Sequence, residues 1–94
     1  MRTQDIIDQL EKFAAFKTVA ECGSIRKASE VMNIAQPSLS VKIQNLEDAL
    51  SLKLLERDRK GVLLTKEGQL VLDFANDLLD RSEELRKTLV EETG

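Results

Sequence analysis

The sequence predicts a mainly α-helical domain: three helices, a two-stranded hairpin and one long final helix. Three observations carry that expectation. Apolar residues recur at steps of three and four through most of the chain. Two short apolar runs flank a glycine-bearing turn in "LKLLERDRKGVLLT". No helix breaker occurs between Gly68 and Gly94. Ninety-four residues suit one domain.

The first helix is expected over about Asp5 to Cys22, where Leu10, Phe13, Phe16 and Ala20 share one face. Gly23 suits the left-handed residue that ends it, and Ser24 suits the N-cap of the second helix. That helix, about Ile25 to Met32, is expected to bury Ile25, Ala28 and Val31. Asn33 tolerates the left-handed conformation needed to stop it, and Ile34 plugs the turn. The third helix opens at Gln36. Pro37 has no amide hydrogen, and the first helical turn has no internal acceptor for one. Leu39, Ile43, Leu46 and Leu50 give this helix a buried face down to about Leu50. Two helices joined by so short a turn form a helix-turn-helix unit.

Gly61 can take the positive φ that closes a hairpin loop of three to four residues around Asp58-Arg59-Lys60-Gly61. Thr65 caps the final helix, with Glu67 matching the dipole of its first turn. Gly68 so near a helix start indicates close packing rather than helix propensity. Val71, Ala75, Leu78, Ser82, Leu85 and Leu89 then step by four and three, a heptad seam widened by Leu70, Phe74 and Leu79. A helix of about 27 residues is about 40 Å long, more than so small a domain can cover. It reads as a dimerisation helix, the alternative being a helix packed entirely on its own core.

Composition narrows the function. The chain contains no histidine, which excludes histidine acid–base chemistry and Cys/His zinc sites. The single cysteine, Cys22, cannot form an intrachain disulfide and reads as a small hydrophobe at a helix end. The acidic pairs Asp77/Asp80 and Glu83/Glu84 read as a solvated helix side. No apolar run approaches the roughly 20 residues that span a bilayer, and "MRTQDIIDQL" lacks the pattern of a signal peptide. The expectation is a soluble cytoplasmic protein with no membrane partner and no cofactor.

A net charge of −3 appears unsuited to a nucleic-acid partner until it is located. Residues 24–66 hold eight basic and five acidic side chains, a balance of +3, whereas the remainder holds six basic and twelve acidic, a balance of −6. A polyanion would feel the basic middle. Within it, the third helix presents Gln36, Ser38, Ser40, Val41, Lys42, Gln44 and Asn45 opposite its apolar face. Such short donors and acceptors suit base edges and phosphates in a major groove, Val41 suits a thymine methyl, and the helix N-terminus suits a phosphate. Arg57, Arg59 and Lys60 cluster at the hairpin, while Ser24, Arg26 and Lys27 at the start of the second helix are placed to hold the backbone. The three aromatic residues are all phenylalanines at core spacing, which favours a duplex over a stacked single strand. A merely solvated polar face and a merely soluble turn remain the alternatives from pattern alone.

The run from Leu10 to about Leu79 resembles the N-terminal domain of LysR-type transcriptional regulators. Its most specific pieces are Gln36-Pro37-Ser38-Leu39-Ser40, then Ile43 with Leu46-Glu47, Leu54-Leu55-Glu56-Arg57, and Leu64-Thr65 with Gly68. The resemblance implies a winged helix-turn-helix over residues 1–65 and a linker helix over 66–94 that pairs antiparallel with its twin. It implies a dimer reading an interrupted palindrome in double-stranded DNA, with tetramers in full-length proteins. Gln36, Pro37, Ser38, Ser40, Val41 and Lys42 match the family's reading positions, and Arg57 matches an arginine of the wing. Val71, Phe74, Ala75, Leu78, Leu79, Ser82, Leu85 and Leu89 are the expected dimer seam. Position 41 often holds Arg or Gln in the family, Ser51 stands where glycine is usual, and Leu55 replaces a common phenylalanine. The family's inducer-binding domain lies outside these ninety-four residues, and a small-molecule inducer is implied only with it. The other reading is a winged-helix interaction module that docks a protein without DNA. Nothing beyond ordinary carboxylates suggests an enzyme.

Overall fold

Residues 3–93 are described in a computed structural model, with side chains from Asp8 onward. Four helices and one hairpin follow in the order α1 (Thr3–Cys22), α2 (Ile25–Met32), α3 (Gln36–Leu50), β1 (Leu55–Asp58), β2 (Gly61–Leu64) and α4 (Lys66–Thr93). The core draws on all three of the first helices and the base of the hairpin. Ala15, Phe16 and Val19 of α1 meet Ile25 and Ala28 of α2, Leu39, Ile43 and Leu46 of α3, and Leu54 and Leu55. Phe13, Cys22, Met32 and Ile34 pack around its margin.

The junctions follow from local chemistry. Gly23 has φ +68°, and Asn33 and Ser51 take φ 56° and 55° to end α2 and α3. The Ser24 hydroxyl accepts the Lys27 amide at 3.1 Å, capping α2. At α3 the cap is Ala35, which offers no side-chain hydrogen bond, and Pro37 follows in the first turn.

Two burial expectations fail. Val31 is 66% exposed, because Ile25, Ala28 and Met32 set the inward face of α2 and Val31 lies off it. Ser29 is buried instead, its hydroxyl donating to the Arg26 carbonyl at 2.7 Å. Leu50 is 39% exposed, since α3 ends there at the left-handed Ser51. The position one turn after Ile43 is filled by Glu47, which is only 7% exposed.

The hairpin is tighter than expected. Leu55 pairs with Leu64 and Asp58 with Gly61, so the loop is the two residues Arg59 and Lys60 rather than three or four. Gly61, at φ +140°, belongs to the ladder. Asp58 tightens the loop by accepting the Lys60 amide at 2.8 Å. A side chain on Gly61 would collide with the Gly23 carbonyl oxygen, and that same oxygen accepts the Val62 amide at 3.0 Å. The hairpin is thereby fastened to the α1–α2 junction.

Thr65 performs its expected role: its hydroxyl accepts the Gly68 amide at 2.9 Å and donates to the Lys53 carbonyl at 2.6 Å. A methyl group at Gly68 would strike the Leu54 carbonyl oxygen, so the close packing foreseen there is real. Val71, Leu72 and Ala75 continue the inward face of α4 against the core. From Arg81 onward every described residue is exposed, and α4 carries the molecule to 49 Å in its longest dimension against 27 and 22 Å.

Candidate nucleic-acid interface

The buried side of α3 fixes what its other side can do. Leu39, Ile43, Leu46 and Glu47 point inward, which turns Pro37, Val41, Gln44 and Asn45 outward. Gln36, Pro37 and Ser38 are exposed, and Val41 is 57% exposed. No side chain caps α3 and its first turn holds no acidic residue, so its first amides carry no hydrogen bond from a capping side chain. The outward face therefore offers three amide side chains, a hydroxyl, a methyl-bearing residue and a helix N-terminus within three turns.

The flanks of that face differ. Ser40 is half-buried on the hairpin side, where a small cleft of about 150 Å³ also receives Gln44, Lys53 and Arg57. On the α1 side, Lys42 Nζ lies 3.4 Å from Glu11 Oε2. Gln44 Nε2 donates to Asp48 Oδ1 at 2.9 Å, one turn along the same helix. At the hairpin tip Arg57, Arg59 and Lys60 are all exposed. Arg26 and Lys27 are exposed at the start of α2, with Arg26 3.9 Å from Glu30, a loose surface pair of little energetic weight. Ser24 has its oxygen committed to the helix cap but keeps its own proton to donate.

Glu47, singled out only as part of the family resemblance, has a structural role that residue order alone did not reveal. Its Oε2 accepts the Leu54 amide at 2.7 Å and the Leu55 amide at 3.2 Å, joining the end of α3 to the start of β1. That single carboxylate sets the wing against the helix whose face it flanks. Its signal was present: an acidic residue four positions after Ile43 stands where an apolar one belongs. Lys53 was likewise passed over, its place beside Arg57 arising only when the chain folds back.

The expected seam of α4 divides into two parts. Ala75 is fully buried and serves the chain's own interior, while Val71 packs on the core and is half-buried. Leu78 and Leu79 are half-buried. Leu70, Phe74, Leu85, Leu89 and Val90 are each more than half exposed. Phe74 meets Phe13 edge-to-face, ring centroids 5.5 Å apart. Ser82 is exposed, its hydroxyl bonded back to the Leu78 carbonyl at 3.0 Å. Asp77, Asp80, Glu83 and Glu84 are exposed too. Glu83 receives a 2.6 Å hydrogen bond from Arg86, and that bond holds its carboxyl below the ordinary 4.5. Among the described residues no group of three or more His, Cys, Asp or Glu side chains could hold a metal ion, and no helix is long and apolar enough to cross a membrane.

Comparison with known proteins agrees with this geometry. The family model described as "Bacterial regulatory helix-turn-helix protein, lysR family" matches residues 10–69. The SDS degradation transcriptional activation protein of a Pseudomonas species is 40% identical over 83 residues, covering 88% of this chain. The HTH-type transcriptional regulator GltR of Bacillus subtilis is 36% identical over 85 residues, covering 90%. The chain spans 27% and 29% of the length of these two relatives. Among solved structures, a BenM_DBD/catB site 1 DNA complex superposes with a TM-score of 0.87 at 35% identity, covering 90% of this chain and 96% of that one. A CbnR_DBD–DNA complex superposes with a TM-score of 0.84 at 27% identity, covering 90% and 98%.

Proposed function

The chain belongs to the lysR family of bacterial regulatory helix-turn-helix proteins, and from that premise we propose that it is a sequence-specific double-stranded DNA-binding unit of transcription control. The observation that carries the reading is the outward face of α3, with Gln36, Pro37, Ser38, Val41, Gln44 and Asn45 exposed above a buried apolar underside. In this reading residues 1–65 form the winged helix-turn-helix and 66–94 the linker. The N-terminal half of α3 enters the major groove, where Gln36 meets adenine edges and Val41 a thymine methyl. Ser38, Ser40, Lys42 and the uncapped amides of α3 meet the groove edge and its phosphates. Arg57, Arg59 and Lys60 carry the wing to the neighbouring groove or backbone, and Ser24, Arg26 and Lys27 hold a phosphate at the start of α2.

A homodimer completes the reading. The last turns of α4 leave the domain with Leu85, Leu89 and Val90 uncovered, apolar area that a second copy of the helix would bury. Two α3 helices related by a twofold axis would read an interrupted palindrome. Any inducer response belongs to parts of the longer relatives that this chain does not span.

The test is selection of bound sequences from a random duplex library by the purified chain. A recovered palindrome supports base reading and symmetry together. Gln36→Ala is expected to relax sequence choice, whereas Lys60→Ala weakens all duplexes alike and lowers the slope of log K against log salt by about 0.9. Equal losses on every sequence for both variants would refute the base-reading role. Duplex binding no stronger than that of an acidic control protein would favour the protein-docking alternative.

A further inference from the structure

A groove of about 560 Å³ runs between α1 and α3, with Asp8, Glu11 and Lys12 on one wall and Val41, Lys42 and Asn45 on the other. Across it Glu11 Oε2 stands 3.4 Å from Lys42 Nζ. The pairs Arg26–Glu30 and Arg86–Glu83 lie within single helices, but this one joins the reading helix to α1. Lys42 sits at the edge of the outward face, and its long side chain can turn either to α1 or to the groove beyond Val41. In the free protein it is turned to α1 and half-buried there.

We propose that Glu11 limits duplex affinity, its carboxylate an internal counterion that withholds Lys42 from the duplex backbone. The inference rests on the duplex-reading role of α3. Binding to arbitrary sequence is supplied almost wholly by cation–phosphate contacts, so a sequestered lysine beside a carboxylate weakens that mode in full. Sequence-specific binding uses the same lysine on the same backbone and loses the same free energy, so the pair limits affinity on every duplex. The ion pair is exposed at both ends, 36% at Lys42 and 55% at Glu11, and phosphate can displace it without unfolding anything. Glu11 thus lowers affinity for any duplex whose phosphates reach Lys42.

A double-mutant cycle on the 94-residue chain tests this. Fluorescence anisotropy would follow a labelled duplex of mixed sequence between about 50 and 200 mM salt. Glu11→Gln is expected to tighten binding about two- to five-fold, the range of an exposed ion pair, and to steepen the salt slope by up to about 0.9. Glu11→Ala must act in the same direction. In a Lys42→Met background Glu11→Gln is expected to gain nothing. A gain that persists there would overturn the proposal, because Glu11 would then act by repelling phosphate directly. A wild-type chain that binds duplexes while Glu11→Gln matches it would also overturn it. Failure of the wild type to bind any duplex would instead remove the DNA reading on which the proposal stands.

Discussion

Removing the Glu47 carboxylate strikes the joint between α3 and the wing, and its cost can be worked from two hydrogen bonds. Oε2 accepts the Leu54 amide at 2.7 Å and the Leu55 amide at 3.2 Å, and Leu54 and Leu55 are 0% and 4% exposed. In Glu47→Ala both amides lose their acceptor where water does not readily replace it. A buried donor left unsatisfied costs about 1–3 kcal/mol, so the two together cost about 2–5 kcal/mol after partial relaxation. A domain of this size is stable by about 5–14 kcal/mol at ~0.05–0.15 kcal/mol per residue, so the substitution removes a large share of it. Glu47→Gln can set its carbonyl oxygen in the place of Oε2 and accept both amides, losing only the charge assistance, so its loss is expected to be well below that of Glu47→Ala. Urea unfolding followed by circular dichroism measures this, at one protein concentration because association adds to apparent stability. A loss under about 0.5 kcal/mol for Glu47→Ala, with an unchanged m value, would refute the argument that this carboxylate holds the wing. The same variant at full folding should bind duplexes with a shallower salt slope, because a loosened wing no longer presents Arg57, Arg59 and Lys60 together.

Gly68→Ala places a methyl group against the Leu54 carbonyl oxygen, and forcing α4 away from it is expected to cost about 1–3 kcal/mol, read as a lowered Tm. Leu85→Asp with Leu89→Asp puts two carboxylates on the exposed apolar part of α4. Sedimentation should then show a monomer with an unaltered melting profile at low concentration, and a persistent dimer would place the interface elsewhere. Glu83 should titrate below 4.5, because its charged form accepts the Arg86 hydrogen bond. A lowered folded value means this contribution is present above the unfolded pKa and is lost as pH falls through the folded one. Carbon-detected NMR titration would show it, and Arg86→Gln should return Glu83 to the ordinary range.

Much of this molecule is readable from residue order because its determinants are local. Gly23, Ser24, Asn33, Pro37 and Thr65 each act on the few backbone groups beside them, so the boundaries of α2 and α3 and the start of α4 follow from nearest-neighbour chemistry. The apolar steps of α3 likewise chose its inward side, and with it the outward residues of the candidate interface. Leu50 and the hairpin loop depart from expectation for local reasons, whereas Val31 and Ala75 depart because of partners distant in sequence. Val31 keeps helical spacing with Ala28, yet Ile25, Ala28 and Met32 take the face of α2 that meets the core and leave it outside. Ala75 obeys the heptad steps and is nevertheless fully buried in the chain's own interior, because Gly68 lets α4 approach the Leu54 carbonyl so closely.

Local signals thus sufficed for the helices, the turn between α2 and α3, and the polar side of α3, since each depends on residues within about one or two helical turns. Long-range packing assigned the rest. It placed Glu47 beneath the wing, set Lys42 against Glu11, and split the α4 seam into an inward half and a free half. Hydrogen bonds and ion pairs between segments need positions in space, and spacing along a chain cannot supply the third coordinate.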